Sequence, residues 1–116
     1  MNLPMIDELR ERARQALQAT GADLSLGEPG GPGMAASTPI TGEVLFTVAP
    51  TSPEQADSTI AAAAEAFTKW RTTPAPVRGA LVARLGELLT EHKADLATLV
   101  TLEVGKITSE ALGEVQ

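Results

Sequence analysis

His92 is the single histidine of this 116-residue chain, and there is no cysteine. A general base needs a nucleophile and an orienting group within reach, and a transition-metal site needs three or four N, S or O ligands at close spacing. Neither surrounds His92, which stands between Glu91 and Lys93 at a helix junction and reads as a solvated side chain. The missing cysteine excludes a disulfide scaffold, a thiolate metal site, a redox motif and a thiol nucleophile within these residues. Glu103-Val104-Gly105-Lys106 holds a carboxylate and an amine close enough in sequence for acid–base work. The competing account is a lysine near a helix C-terminus, where the helix dipole favours a cation, and residue physics favours that account. Gly27-Glu28-Pro29-Gly30-Gly31-Pro32-Gly33 has the glycine content of a phosphate loop. Such loops follow a strand, open a helix and present backbone N–H groups. Pro29 and Pro32 remove two of those donors and no Lys-Ser/Thr pair follows, so the run is a turn. Arg71, Arg78 and Arg84 lack interleaved aromatics and read as surface charges or ion-pair partners.

The elements that would position such residues follow from apolar spacing. Ile6, Leu9, Ala13, Ala16, Leu17 and Thr20 form one stripe of a helix over residues 3–20, with Pro4 in its first turn and Gly21 ending it. Residues 22–42 carry the glycines and prolines of a loop. Residues 43–49 are the best strand, after the Thr41-Gly42 turn and before Pro50. Its partner is expected in residues 23–26 or 34–38, making a hairpin or a small edge sheet. Ser52, Pro53 and Gln55 mark the start of a helix over 53–70 through a capping box. Ala56, Ile60, Ala63, Phe67 and Trp70 lie on one of its faces, and Ala61–Ala64 allow close approach of a neighbour. Thr72–Pro76 break the chain before a helix over 76–92 striped by Val77, Leu81, Leu85, Leu88 and Leu89. Helices over 94–104, capped or bent at Gly105, and over 107–116 complete the reading. The last has no stop signal, as in a chain cut within an element, although a complete domain can also end this way.

Composition bounds the possibilities. The length allows one domain. Of the 43% apolar residues, 19 are Ala, and only two Phe and one Trp supply aromatic bulk, so any core is thin. Nine Lys and Arg against fifteen Asp and Glu give a net charge of −6. This argues against a nucleic-acid partner, because phosphate neutralisation needs a basic surface. No apolar run approaches the ~20 residues of a membrane span, and acidic residues among Arg10, Arg12 and Arg14 argue against a targeting leader. The expected location is the cytoplasm. Composition and periodicity stop at an acidic, mostly helical domain with a small sheet.

The order of motifs goes further. Thr38-Pro39-Ile40-Thr41-Gly42-Glu43-Val44 resembles the N-P-x-T-G-E-V entry of the aldehyde dehydrogenase superfamily. As in that family, a short strand and loop follow, then an Ala-rich helix ending in Ala66-Phe67-Thr68-Lys69-Trp70. Arg78 and Val82 stand at the start of the R-x-x-x-L helix, and Leu102-Glu103-Val104-Gly105-Lys106 matches L-E-x-G-K. The finer combination of Ala75–Gly79, Leu102–Ile107 and Gly113–Gln116 resembles the branch that oxidises α-aminoadipic semialdehyde, in equilibrium with piperideine-6-carboxylate, in lysine catabolism. The resemblance spans residues 38–116, and residues 1–37 match loosely. Thr38 departs from the usual Asn.

The resemblance implies an α/β fold: the N-terminal part of a Rossmann-like NAD-binding domain, mostly helical with a short edge hairpin. Residues 1–21 would be an N-terminal helix, 22–50 a Gly/Pro-rich loop with edge strands, and 51–116 helices of an incomplete cofactor domain. It implies NAD or NADP as cofactor, a small aldehyde as substrate, the remainder of the dehydrogenase chain as structural partner and a homo-oligomer at full length. The family's catalytic Cys, Glu and Asn would lie beyond residue 116, so no catalytic or cofactor-binding residue is expected here and the chain alone would be inactive. It also implies a structural monovalent cation held by Glu103 and by the backbone carbonyls of Ala36 and Ser37. The alternative is a self-contained helical interaction module without enzymatic activity.

Overall fold

The structure, a computed structural model, describes residues 4–116. The elements in chain order are α1 (Ile6–Ala19), β1 (Met34–Ser37), β2 (Val44–Val48), α2 (Pro53–Trp70), α3 (Ala75–Glu91), α4 (Lys93–Val104) and α5 (Thr108–Val115). They fall into two compact units, one holding the residues up to Ala49 together with Leu88–Gln116, the other Pro50–Glu87. Among the described residues no helix is long and apolar enough to cross a membrane.

In the first unit, Leu9 and Ala13 of α1, Leu45 and Phe46 of β2 and Leu102 of α4 form the buried cluster, with Ile6, Leu26, Ile40 and Leu99 packed against it. The expected α1 stripe therefore faces a core. The helix starts later than expected. Residue 3 lies outside the described residues, and Pro4 precedes the cap instead of sitting in the first turn. Met5 is extended at the N-cap, and its N–H donates to Glu8 Oε2 at 3.3 Å, which satisfies a donor that the helix leaves free. Gly21 follows the Thr20 cap with φ +71°, the left-handed turn expected of a helix stop.

β1 is the strand partner within 34–38, and it pairs antiparallel with β2 in the register Met34–Val48, Ala35–Thr47 and Ala36–Phe46. An irregularity between Ala36 and Ser37 shifts the last pair to Ser37–Val44. The other proposed partner, residues 23–26, forms no strand. Only the adjoining Gly27 bonds β2, exchanging N–H···O bonds of 2.8 and 3.0 Å with Thr47. A Cβ at Gly27 would lie 2.3 Å from Thr47 Oγ1, so the close approach at this bridge favours glycine. The backbone donor of this first loop glycine is used inside the fold.

Two arginines of α1 anchor the hairpin. Arg10 donates from Nε and Nη2 to the Val44 carbonyl at 3.2 and 2.8 Å and from Nη1 to Asp7 at 3.0 Å. Arg14 lies 5.3 Å from the centre of the Phe46 ring, a cation–π distance.

α4 packs on both α1 and α5. Gly105 ends α4 in the left-handed conformation, φ +77°. Lys106 beyond it pairs with Glu114 of α5, and Lys93 Nζ donates to Gln116 Oε1 at 2.6 Å. Two charge-assisted bonds thus brace the α4–α5 hairpin.

In the second unit, α2 occupies the residues expected of it. Ser52 Oγ accepts from Gln55 N at 3.2 Å and Gln55 Oε1 accepts from Ser52 N at 2.9 Å, a complete capping box. Neither α2 nor α3 buries a single side chain. Ile60, Phe67, Val77, Leu81, Val82 and Leu85 are all more than half exposed.

Two outcomes follow. Replacing Gly105 by Ala places a Cβ 2.7 Å from Pro39 Cγ at a positive φ, whereas Gly79 has open space around it. Gly105→Ala is expected to lower stability by about 1–2 kcal/mol from the backbone alone. Gly79→Ala is expected to raise helix stability by roughly 0.5–1 kcal/mol. Urea titration followed by circular dichroism checks both signs. The hydrogen bond from Lys106 holds Glu114 below its ordinary 4.5, and the bond to Glu114 raises Lys106 above its ordinary 10.5. The depressed carboxylate contributes stability above its unfolded value, lost as pH falls through the lower folded one; the raised amine contributes below 10.5, lost as pH rises through the higher folded one. Urea midpoints across pH should therefore decline at both ends, and Glu114→Gln should flatten the acid limb.

Candidate functional site

The turn between the strands is built by Thr38. Its N–H donates to Glu43 O at 2.9 Å, its carbonyl accepts from Gly42 N at 2.9 Å, and its hydroxyl oxygen accepts from Ile40 N at 3.3 Å. The last contact is a side-chain turn of the kind Asn also makes, so threonine fills the position where the family pattern has asparagine. Thr38 is 1% exposed, which makes this hydroxyl part of the interior. Gly42 takes φ +80° to close the turn. Pro39 packs on Gly105 so closely that no side chain fits between them. That contact sets the turn against the end of α4.

The two segments form an open cleft of about 780 Å³ lined by Ser37, Thr38, Pro39, Gly42, Glu103 and Val104. Of the three residues expected to hold a cation, Glu103 and Ser37 line this cleft and both are exposed. Ala36 does not line it. Thr47 spends its N–H and C=O on Gly27, so the Ala35–Thr47 pair is the non-hydrogen-bonded kind and the neighbouring Ala36–Phe46 pair is the hydrogen-bonded kind. The Ala36 carbonyl is therefore directed along the ladder toward Phe46. Glu103 is the one carboxylate among the residues that line the cleft, and carboxylate oxygen is a donor that hard cations take. Among the described residues no group of three or more His, Cys, Asp or Glu gathers that could hold a metal ion.

The remaining chemical candidates resolve as structural. Lys106 pairs with Glu114 and not with Glu103, which removes the acid–base pair considered in the sequence. His92 is half-buried at the N-cap of α4, where its carbonyl accepts from Leu96 N at 3.0 Å, rather than fully solvated. In the glycine-rich loop, Gly31 N donates to Glu28 O at 3.0 Å and Thr47 Oγ1 donates to the same carbonyl at 3.2 Å, a turn tied to β2. The sequence reading missed Arg10 and Arg14 as anchors. Their spacing of four places both on one helix face, which was the available signal.

Removing the Thr38 hydroxyl with Thr38→Val leaves the Ile40 amide without its acceptor and is expected to cost about 1–3 kcal/mol. Thr38→Asn, which can accept the same bond, should restore most of it. The urea midpoints of the two variants decide whether the hydroxyl acts through that bond.

Comparison with known proteins bears on the same segments. The Aldehyde dehydrogenase family matches residues 28–116, reaching ten residues further upstream than the motif resemblance. Malonate-semialdehyde dehydrogenase 2 of Geobacillus thermodenitrificans is 51% identical over 78 residues, covering 67% of this chain and 16% of that protein. Malonate-semialdehyde dehydrogenase of Halalkalibacterium halodurans is 44% identical over 82 residues, 71% of this chain and 17% of its own. Aldehyde dehydrogenase family 7 member A1 of Pisum sativum is 38% identical over 86 residues, 74% and 17% of the two chains. The chain thus spans about one sixth of the length of these relatives. Their names do not carry the α-aminoadipic semialdehyde branch or lysine catabolism expected from the finer motifs. With the family pattern matched over more than half of its residues, the chain belongs to the aldehyde dehydrogenase family.

Proposed function

We propose that this chain forms the N-terminal part of the cofactor-binding domain of an NAD(P)-dependent aldehyde dehydrogenase that oxidises malonate semialdehyde to a carboxylate product. The observation that carries the substrate is the 51% identity to a protein named for malonate semialdehyde, against 38% to the pea family 7 member. The α-aminoadipic reading rests on Ala75–Gly79, Leu102–Ile107 and Gly113–Gln116 alone, and it is the competing substrate assignment.

The chain contains no thiol, so the nucleophile that attacks the aldehyde and the groups that hold NAD or NADP are supplied by other parts of the enzyme. In this reading the 116 residues alone are inactive. Their contribution is architectural, part of a Rossmann-like α/β domain in which the apolar faces of α2 and α3 pack on a sheet formed by the rest of the protein. Their exposure supports this: Ile60 and Leu81 are 67% and 60% exposed in a chain with few large apolar residues. A helical interaction module would explain the same exposure but not the identity to named dehydrogenases. Glu103 and the Ser37 carbonyl would hold a structural monovalent cation, with Ala36 contributing only if its carbonyl serves both the ladder and the ion. In this reading the full enzyme is cytoplasmic and a homo-oligomer.

The test is to purify the natural gene product, determine its mass and follow NAD(P)H formation with each semialdehyde. The expected result is a chain several times longer than 116 residues with the higher kcat/KM on malonate semialdehyde. A higher value on α-aminoadipic semialdehyde transfers the assignment to that branch, and no dehydrogenase activity in a folded product refutes the reading. In the same enzyme, Glu103→Gln should abolish any stabilisation by sodium or potassium over choline.

A further inference from the structure

Glu103 stands where a carboxylate is disfavoured, and the base nearest to it is withheld. It lies in the last turn of α4, at the negative end of the helix dipole, and that turn contains no basic residue. It is exposed and makes no ion pair among the described residues. Lys106 follows three positions later, past the left-handed turn at Gly105. A chain that leaves a helix through such a turn folds back on the last helical turn, which keeps Lys106 within reach of Glu103. Its ammonium is nevertheless bonded to Glu114 of α5, eight positions away. Gly105 also carries the contact with Pro39 that sets Glu103 in one cleft with Ser37.

From this division of charges we infer that Glu114 is a positioning residue: it holds Lys106 off Glu103 and so keeps the cleft carboxylate open to a monovalent cation. The ion half of this rests on the reading that Glu103 holds such a cation; the placement of Lys106 rests on the geometry alone. Without Glu114, the carboxylates nearest to Lys106 in sequence are Glu103 and Glu110. Glu110 lies in the first turn of α5, at the positive end of that helix dipole, where an ammonium is disfavoured. Glu103 lies at the negative end of α4, where an ammonium is favoured. A released Lys106 therefore moves to Glu103 and competes with the ion for one carboxylate. The bond to Glu114 prevents that competition from within the chain.

The whole enzyme tests it, through the thermal midpoint as sodium or potassium replaces choline at constant ionic strength. Glu114→Ala should weaken the apparent ion affinity about two- to fivefold, the range of an exposed ion pair. Lys106→Met should not weaken it, and Lys106→Met combined with Glu114→Ala should restore it. A pair that only braces α5 gives the other pattern: each single variant weakens ion binding and the double is no better. That pattern overturns the inference. Crystals of the Glu114→Ala enzyme grown in choline salt give a second readout that needs no ion. Lys106 Nζ at salt-bridge distance from Glu103 is the expected result, and Lys106 on Glu110 or in solvent overturns the inference. If the unaltered enzyme gains nothing from either ion, the cation reading fails and takes the ion half of the inference with it. The crystals then still decide whether Glu114 holds Lys106 away.

Discussion

Leu9, Leu45, Phe46 and Leu102 come from α1, β2 and α4, and their mutual burial joins segments up to 93 residues apart. Among the described residues four of the eight buried apolar ones are alanines, so these larger side chains carry most of the burial in the unit. Everything attached to this core takes its position from it. α4 ends at a fixed place because Leu102 is inside, and the 38–42 turn is fixed because Leu45 and Phe46 are. The contact of Pro39 with Gly105 follows, and with it the cleft that brings Glu103 to Ser37.

Polar contacts supply what so thin a core lacks. Arg10 reaches from α1 to the Val44 carbonyl, Arg14 covers Phe46, and the Thr38 hydroxyl completes the turn from inside. These are hydrogen bonds and ring contacts to partly or fully buried groups, where an unmet donor or acceptor is costly. The same economy explains why the loop glycines serve as structure. Gly27 allows Thr47 to be bonded on the side away from β1, and the backbone donor that a phosphate would need is already engaged.

The second unit has the opposite character. α2 is well capped, yet neither α2 nor α3 fully buries a residue. A helix this exposed is specified locally, by the Ser52–Gln55 box and the alanine-rich middle. The family members compared are about four times as long as this chain, 78 and 82 matched residues being 16% and 17% of them.

Element types and most boundaries were legible in the sequence because they depend on local chemistry. Ser52 and Gln55 cap α2, Gly21 and Gly105 terminate helices, and Gly42 closes a turn, each through contacts or backbone angles within a few residues. The ordered motifs likewise pointed to the family without any coordinates. What was not legible depends on distant partners. Which of 34–38 and 23–26 forms the paired strand depends on contacts with β2 across the chain: β1 pairs along one edge of it and Gly27 alone bridges the other. The pairing of Lys106 with Glu114 instead of Glu103 turns on where α5 folds back. Glu103 and Ser37, 66 residues apart in sequence, share a cleft because the core of Leu45, Phe46 and Leu102 aligns their segments, while the Ala36–Phe46 pair belongs to the β ladder. Sequence alone determined the local conformations, since capping, spacing and glycine placement act over a turn or two. Only tertiary structure decided which polar groups are already spent and which remain free to bind, because that depends on neighbours brought together by packing.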